Sequence, residues 1–152
     1  MVAFVRAACA AALVLLLSVP AIAADKPFKR DDLAAAAIKL EARIKSEAGP
    51  PARPLAVLQR EADAALQRND IRSGLQILGQ IVAAAPGDST TWLRIARTVL
   101  RIRPGSDNER ASLLERAATA AYLAYQRSGN GGEEADSLVL IARTYADRSI
   151  WR

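Results

Sequence analysis

The chain has no histidine and a single cysteine, Cys9. Ser-His and Cys-His nucleophile pairs, histidine acid/base schemes and Cys- or His-based zinc sites are therefore excluded. Carboxylate chemistry is what remains. The tight acidic groups are Asp31-Asp32 and Glu133-Glu134 with Asp136. Each falls at an expected helix start, where the helix dipole favours negative charge, and neither has the spaced oxygen-ligand loop of a calcium site. A glycan-cleaving mechanism needs two carboxylates facing each other across a cleft. Glu61 and Asp63 come nearest to such a pair, but on one helix their spacing points them apart. No catalytic, metal-binding or cofactor-binding residue is assigned, and no cofactor or small-molecule substrate is expected.

Two other groups could bind rather than react. Asn130-Gly131-Gly132 precedes a helix, as a phosphate cradle would, but it lacks a preceding strand and a P-loop lysine, and Glu133 and Glu134 would repel phosphate. It reads as an interhelix turn. Arginines recur at Arg94, Arg97, Arg101 and Arg103, then at Arg110, Arg116 and Arg127. Arg94, Arg97 and Arg101 share a face flanking Trp92, Ile95 and Val99, which makes a basic ridge. Interspersed Asp107, Glu109 and Glu115 speak against a nucleic-acid partner. The bland reading is solvated surface; the functional one is an interface with another domain, an acidic partner or lipid headgroups. Tyr122, Tyr125, Tyr145 and the two tryptophans have the spacing of helix-packing positions, with an aromatic peptide groove as the lesser alternative. The candidate interface comprises Arg94, Arg97, Arg101, Tyr145 and Trp151.

The elements that must position these residues begin after an export signal. Arg6, an apolar run from Ala7 to Val19, Pro20 and the small residues Ala21, Ala23 and Ala24 read as a signal peptide over residues 1–24, which places the protein in a periplasm. A retained anchor at the inner membrane is the alternative. The formal charge is +5, of which Arg6 supplies one, so the remaining 128 or so residues carry +4 and no cysteine. That length supports one domain held by packing rather than disulfides.

Residues 25–30 read as a polar linker, and 31–152 as a helical-repeat domain expected to be cut short at its C-terminus. Leu33, Ala36, Ala37, Leu40 and Ile44 form one apolar stripe, with Asp31 or Asp32 as cap, ending at Gly49-Pro50-Pro51. This Ala-rich helix should lie close against the hairpin that follows. That hairpin spans Leu58 to Pro86, with Pro54 in the first turn, a bend at Asn69-Asp70 and a close approach of Gly74 to Ala62. Leu58 to Trp92 is thirty-four residues, the tetratricopeptide period. Ser106 and Glu109 read as a capping box for an enlarged second arm running to about Arg127. A last helix from about Glu133 carries Leu138, Ile141, Ala142 and Tyr145 at first-arm spacing, and its missing second arm should leave Leu138, Ile141, Tyr145 and Trp151 uncovered. The fold class is all-α: tetratricopeptide-like antiparallel hairpins in a short right-handed solenoid of about six helices.

Several stretches carry a family resemblance: Ala24 to Phe28, Leu55 to Arg68, Gly74 to Ile81, Trp92 to Thr98, Leu114 to Tyr122, and Ala146-Asp147-Arg148 with Trp151-Arg152. Together they resemble the N-terminal region of large bacterial alpha-2-macroglobulin family proteins of the alphaproteobacterial type. The resemblance implies an exported, broad-spectrum protease trap, with bait region and thioester in strand-rich domains outside this chain. The Cys-Leu-Glu-Gln stretch of such a thioester is absent from residues 25–152. It further implies a non-enzymatic helical module that docks onto the rest of the polypeptide, a periplasmic protein or the inner-membrane surface. The alternative is a stand-alone periplasmic adaptor binding a protein or peptide. An unfinished last hairpin predicts that the isolated chain is helical and self-associates in analytical ultracentrifugation; a strictly monomeric, highly stable species would count against it.

Overall fold

In the computed structural model of the protein, residues 26–51 and 53–149 are described; the expected signal peptide and Trp151 lie outside them. Six α-helices occupy the described residues: α1 (Asp31–Ala48), α2 (Leu55–Gln67), α3 (Ile71–Ala84), α4 (Ser89–Val99), α5 (Asp107–Arg127) and α6 (Gly131–Ser149). Neighbours in sequence are mostly neighbours in space: α2 packs on α3, α3 on α4, α4 on α5 and α5 on α6. This is an all-α bundle with the adjacent-helix packing of a helical-repeat arrangement. α1 lies against α3 and α5 and not against α2, the helix that follows it, so it spans two hairpins where the sequence suggested one.

Local chemistry sets the helix ends. α2 stops in a Schellman motif: the Asp70 amide donates to Ala65 O (2.9 Å) and the Asn69 amide to Leu66 O (3.2 Å), with Asn69 at φ 60°. Asp70 then turns to cap α3, accepting from the Ser73 amide at 3.1 Å. One residue therefore ends the first reversal and starts the next helix. Ser106 accepts from the Glu109 amide (3.2 Å), while Glu109 reaches back to the Gly105 amide (2.6 Å), one residue before the position a standard capping box uses. Asn130 caps α6 through the Glu133 amide (2.8 Å), so that helix begins at Gly131, two residues earlier than its charge pattern indicates. Two expectations are corrected at other ends. Arg30, not an aspartate, is the N-cap of α1 and makes no side-chain cap bond; Pro54 is the N-cap of α2 rather than a member of its first turn.

The core centres on α5. Every residue from Ala117 to Tyr125 is buried, and α1, α4 and α6 pack around that stretch. Ala117, Ala118, Ala120, Ala121 and Ala124 let three helices come near it at once, while Trp92, Tyr122, Tyr125, Ile95, Val99 and Ile141 fill the space between. Ile141 was expected to be uncovered; it is buried, because α6 turns it onto the core that α5 centres. Leu138 and Tyr145 are half-buried.

Gly74 makes its close approach to Leu66, one turn beyond Ala62. A Cβ on Gly74 would sit 2.9 Å from Leu66 Cγ and nearer still to Cδ2. Gly74→Leu should therefore cost about 1–3 kcal/mol of stability through overpacking, after a partial helix-propensity gain of about 1 kcal/mol. Adding Leu66→Ala should recover part of that loss in urea unfolding. If the two substitutions instead destabilise additively, the contact is not what Gly74 accommodates.

Candidate functional site

The basic ridge of α4 is used inside the molecule. Arg94 pairs with Asp63 of α2, and Arg97 reaches Asp136 of α6 at 2.6 Å. Arg101 donates to Asn69 Oδ1 (2.8 Å) and Leu66 O (3.4 Å) in the α2–α3 bend. The three arginines are cross-braces, Arg94 from α4 to α2, Arg97 from α4 to α6, and Arg101, just past the end of α4, to the α2–α3 bend. The Arg97 pair is more than half exposed at both ends, so it contributes little stability and chiefly fixes relative position.

Tyr145 sits elsewhere. Its hydroxyl donates to Asp32 Oδ2 at 3.0 Å, and the guanidinium groups of Arg30 and Arg148 lie 4.8 and 5.8 Å from its ring centre. Arg30 binds Asp32 with two bonds, 2.9 and 2.8 Å. This cluster fastens α6 to the start of α1. The expected interface residues thus divide between two internal fastenings rather than converging on one site, and Trp151 lies outside the described residues. Glu61 and Asp63 are likewise separated: Glu61 faces Arg53 at 2.5 Å, and Asp63 faces Arg94.

Residues 26–30, expected as linker, dock on the core. The Lys26 ammonium binds Glu134 and Ser128 O (2.9 Å) and lies 5.5 Å from the Tyr125 ring centre. Phe28 donates its amide to Tyr125 Oη (3.0 Å) and meets the Tyr122 and Tyr125 rings edge-on, at 6.2 and 5.8 Å. The lone aromatic of that polar stretch was the signal, and it is legible only once Tyr122 and Tyr125 are known to share a face with it.

There are two further polar clusters, the first without a signal in sequence and the second legible only as the i,i+4 spacing of Glu41 and Lys45. Glu133 accepts from Ser89 Oγ (2.5 Å) and Thr90 Oγ1 (2.7 Å), tying the start of α6 to the start of α4. Glu41 of α1 binds Arg127 (2.5 Å) and Lys45 (2.7 Å), and Arg127 lies 5.2 Å from the Trp92 ring centre. Trp92 is fully buried and satisfies its indole N–H on Pro86 O at 3.0 Å.

Open space lies on both sides of α1. A groove of about 420 Å³ is walled by α1, α3, α4 and α5, with Leu40, Ile44, Leu75, Ile95 and Val99 as its apolar part and Arg43, Arg72 and Arg116 in its lining. A second groove of about 300 Å³, between α1 and α5, shares Leu40, Arg43 and Arg116 with it. Among the described residues no group of three His, Cys, Asp or Glu side chains is placed to hold a metal ion, and no helix is long and apolar enough to cross a membrane. Fold and surface define a helical-repeat scaffold whose charged side chains mostly brace its own helices. No protein family, curated protein or solved structure compared with the chain matches it.

Acid should loosen these fastenings. Asp32 is lowered to about 2 by its hydrogen bonds from Arg30, against a small burial penalty and with help from Tyr145. Hydrogen bonds from Ser89 and Thr90 hold Glu133 below the usual carboxylate range. Burial opposes ionisation of Glu41, but hydrogen bonds from Lys45 and Arg127 outweigh it and bring its carboxyl down as well. A depressed folded-state pKa gives stability that is present above the unfolded value, about 4, and is lost as pH falls through the folded value. Thermal unfolding should show midpoints that fall between about pH 4 and 2, and Asp32→Asn should flatten that fall. An unchanged pH profile in the variant would show that the Arg30–Asp32–Tyr145 cluster carries no stability.

Proposed function

We propose that the chain is a non-enzymatic docking module: the N-terminal helical region of a periplasmic protein of the bacterial alpha-2-macroglobulin family, with endopeptidase inhibition residing in domains outside this chain. In this reading the bundle is a short right-handed solenoid of tetratricopeptide-type antiparallel hairpins, α2–α3 and α4–α5, with α6 as the first arm of a third. Two things support it. One is the sequence resemblance along residues 24–152. The other carries the structural side: the face of α6 turned away from α4 and α5 exposes Val139 (68%) together with Ala135 and Ala142, an apolar surface suited to another packed element. The occupant is a downstream domain of the same polypeptide.

The coding sequence beyond Arg152 tests the reading. Strand-rich domains with a bait-like segment and a Cys-Leu-Glu-Gln stretch would support it; a stop codon at that point would overturn it in favour of the stand-alone adaptor. In the longer protein Val139→Glu should speed amide exchange along α6 while leaving α2 and α3 unchanged. Equal exchange in α6 with and without the substitution would mean that this face is not where the module docks.

A further inference from the structure

The groove of about 420 Å³ differs from the rest of the charged surface in one respect. Four arginines elsewhere each find an acid or a carbonyl on another segment: Arg94 with Asp63, Arg97 with Asp136, Arg101 with the α2–α3 bend, Arg127 with Glu41. Here three helices each bring one arginine to a single opening, Arg43 from α1, Arg72 from α3 and Arg116 from α5. Arg43 stands 3.8 Å from Glu47, the one acid of the lining. Arg72 and Arg116 make no hydrogen bond or ion pair among the described residues, although Arg72 helps to lower the Asp70 carboxyl; with three arginines to one glutamate, the lining keeps a net positive charge.

Beneath the arginines the lining is apolar. Leu40, Ile95 and Val99 are buried and Ile44 and Leu75 half-buried. The groove exists because α3 and α5 do not touch; α1 bridges them, and α4 forms the wall behind. On the side where α1 and α3 meet, it closes tightly: a Cβ on Gly79 would lie 3.4 Å from Ile44 Cγ2 and 3.9 Å from the Ala48 methyl. The volume falls within the roughly 300–1,000 Å³ of small-ligand sites, and an apolar body with a few convergent polar groups is their usual composition.

From this juxtaposition we infer that the groove between α1, α3 and α5 binds a free amphiphilic anion, a single carboxylate or phosphate head on a short aliphatic tail. The head lies among Arg72, Arg116 and Arg43, which supply charge-assisted hydrogen bonds; the tail lies along the half-buried Ile44 and Leu75, over a floor closed by Leu40 and Val99. Arg43 and Arg116 also line the adjoining groove of about 300 Å³, so a larger head has room on that side of α1. The inference is independent of the docking proposed for α6, which uses another face. It also departs from the sequence expectation that no small molecule is bound.

Calorimetric titration with octyl phosphate tests it, beside inorganic phosphate, octanol and octyltrimethylammonium. Octyl phosphate should bind tighter than each of the three. The double variant Arg72→Gln/Arg116→Gln should weaken octyl phosphate about tenfold or more while leaving octanol binding and the thermal midpoint unchanged. Ala48→Phe, which fills the apolar end, should weaken octyl phosphate and octanol together. The inference is overturned if octyl phosphate binds no better than its separate head and tail, if the arginine variant binds it as the parent does, or if only anionic vesicles, and not the free amphiphile, retain the protein.

Discussion

The interaction on which the rest depends is the burial of α5. For the nine residues from Ala117 to Tyr125 it has no solvent face, so it must be packed from all sides. Small side chains make that possible, since helix axes approach closely only where alanine or a hydroxyl-bearing residue stands between them. The partners have matching chemistry. α6 buries Ser137 and Thr144 completely, and each satisfies its hydroxyl on its own helix, at Glu133 O and Ile141 O, both at 2.7 Å. Thr119 of α5 does the same with Glu115 O at 2.8 Å. These groups act in the packing as small apolar ones, and no polar partner has to cross between helices.

A core of this kind fixes distance better than it fixes register, because rows of alanines offer few large knobs. Orientation then falls to the aromatic residues and to charge. Trp92 and Tyr125 are among the largest fully buried side chains, and each is pinned at its polar end, Trp92 by Pro86 O and Tyr125 by the Phe28 amide. Around them Glu41–Arg127, Glu133 with Ser89 and Thr90, Asp32–Tyr145 and Lys26–Glu134 each join elements far apart in sequence. Single partly exposed pairs contribute about 1 kcal/mol or less. Their joint effect is specificity of arrangement, in a chain whose residues 25–152 have no cysteine with which to cross-link. The grooves beside α1 follow from the same geometry, since a helix that bridges α3 and α5 without filling the gap between them leaves space on both of its flanks.

Much of the local structure was legible in the residues. The apolar periodicity, the Asn69-Asp70 reversal, the Ser106–Glu109 signal and the proline and glycine stops locate all six helices to within a few positions. The ridge of Arg94, Arg97 and Arg101 was legible as a shared face. Its partners were not, because Asp63 and Asp136 lie 31 and 39 positions away from their arginines. The groove arginines are harder still to see: Arg43 and Arg72 each stand alone on an exposed helix face, and one such cation carries no signal until another helix places its own cation opposite.

Sequence by itself determined that residues 31–149 are largely helical, where each helix begins and ends to within a few positions, and, α5 apart, which face of each is apolar. Those properties depend on contacts within four or five residues: caps, i,i+4 neighbours and backbone breakers. Only the tertiary structure decided that α1 reaches across to α5, that Phe28 and Lys26 are fastened rather than free, that Ile141 is covered, and that Arg43, Arg72 and Arg116 meet at one opening. Each of these depends on which buried surfaces find one another among several apolar faces of similar composition, and an alanine-rich stripe accepts many partners until the whole core has chosen one.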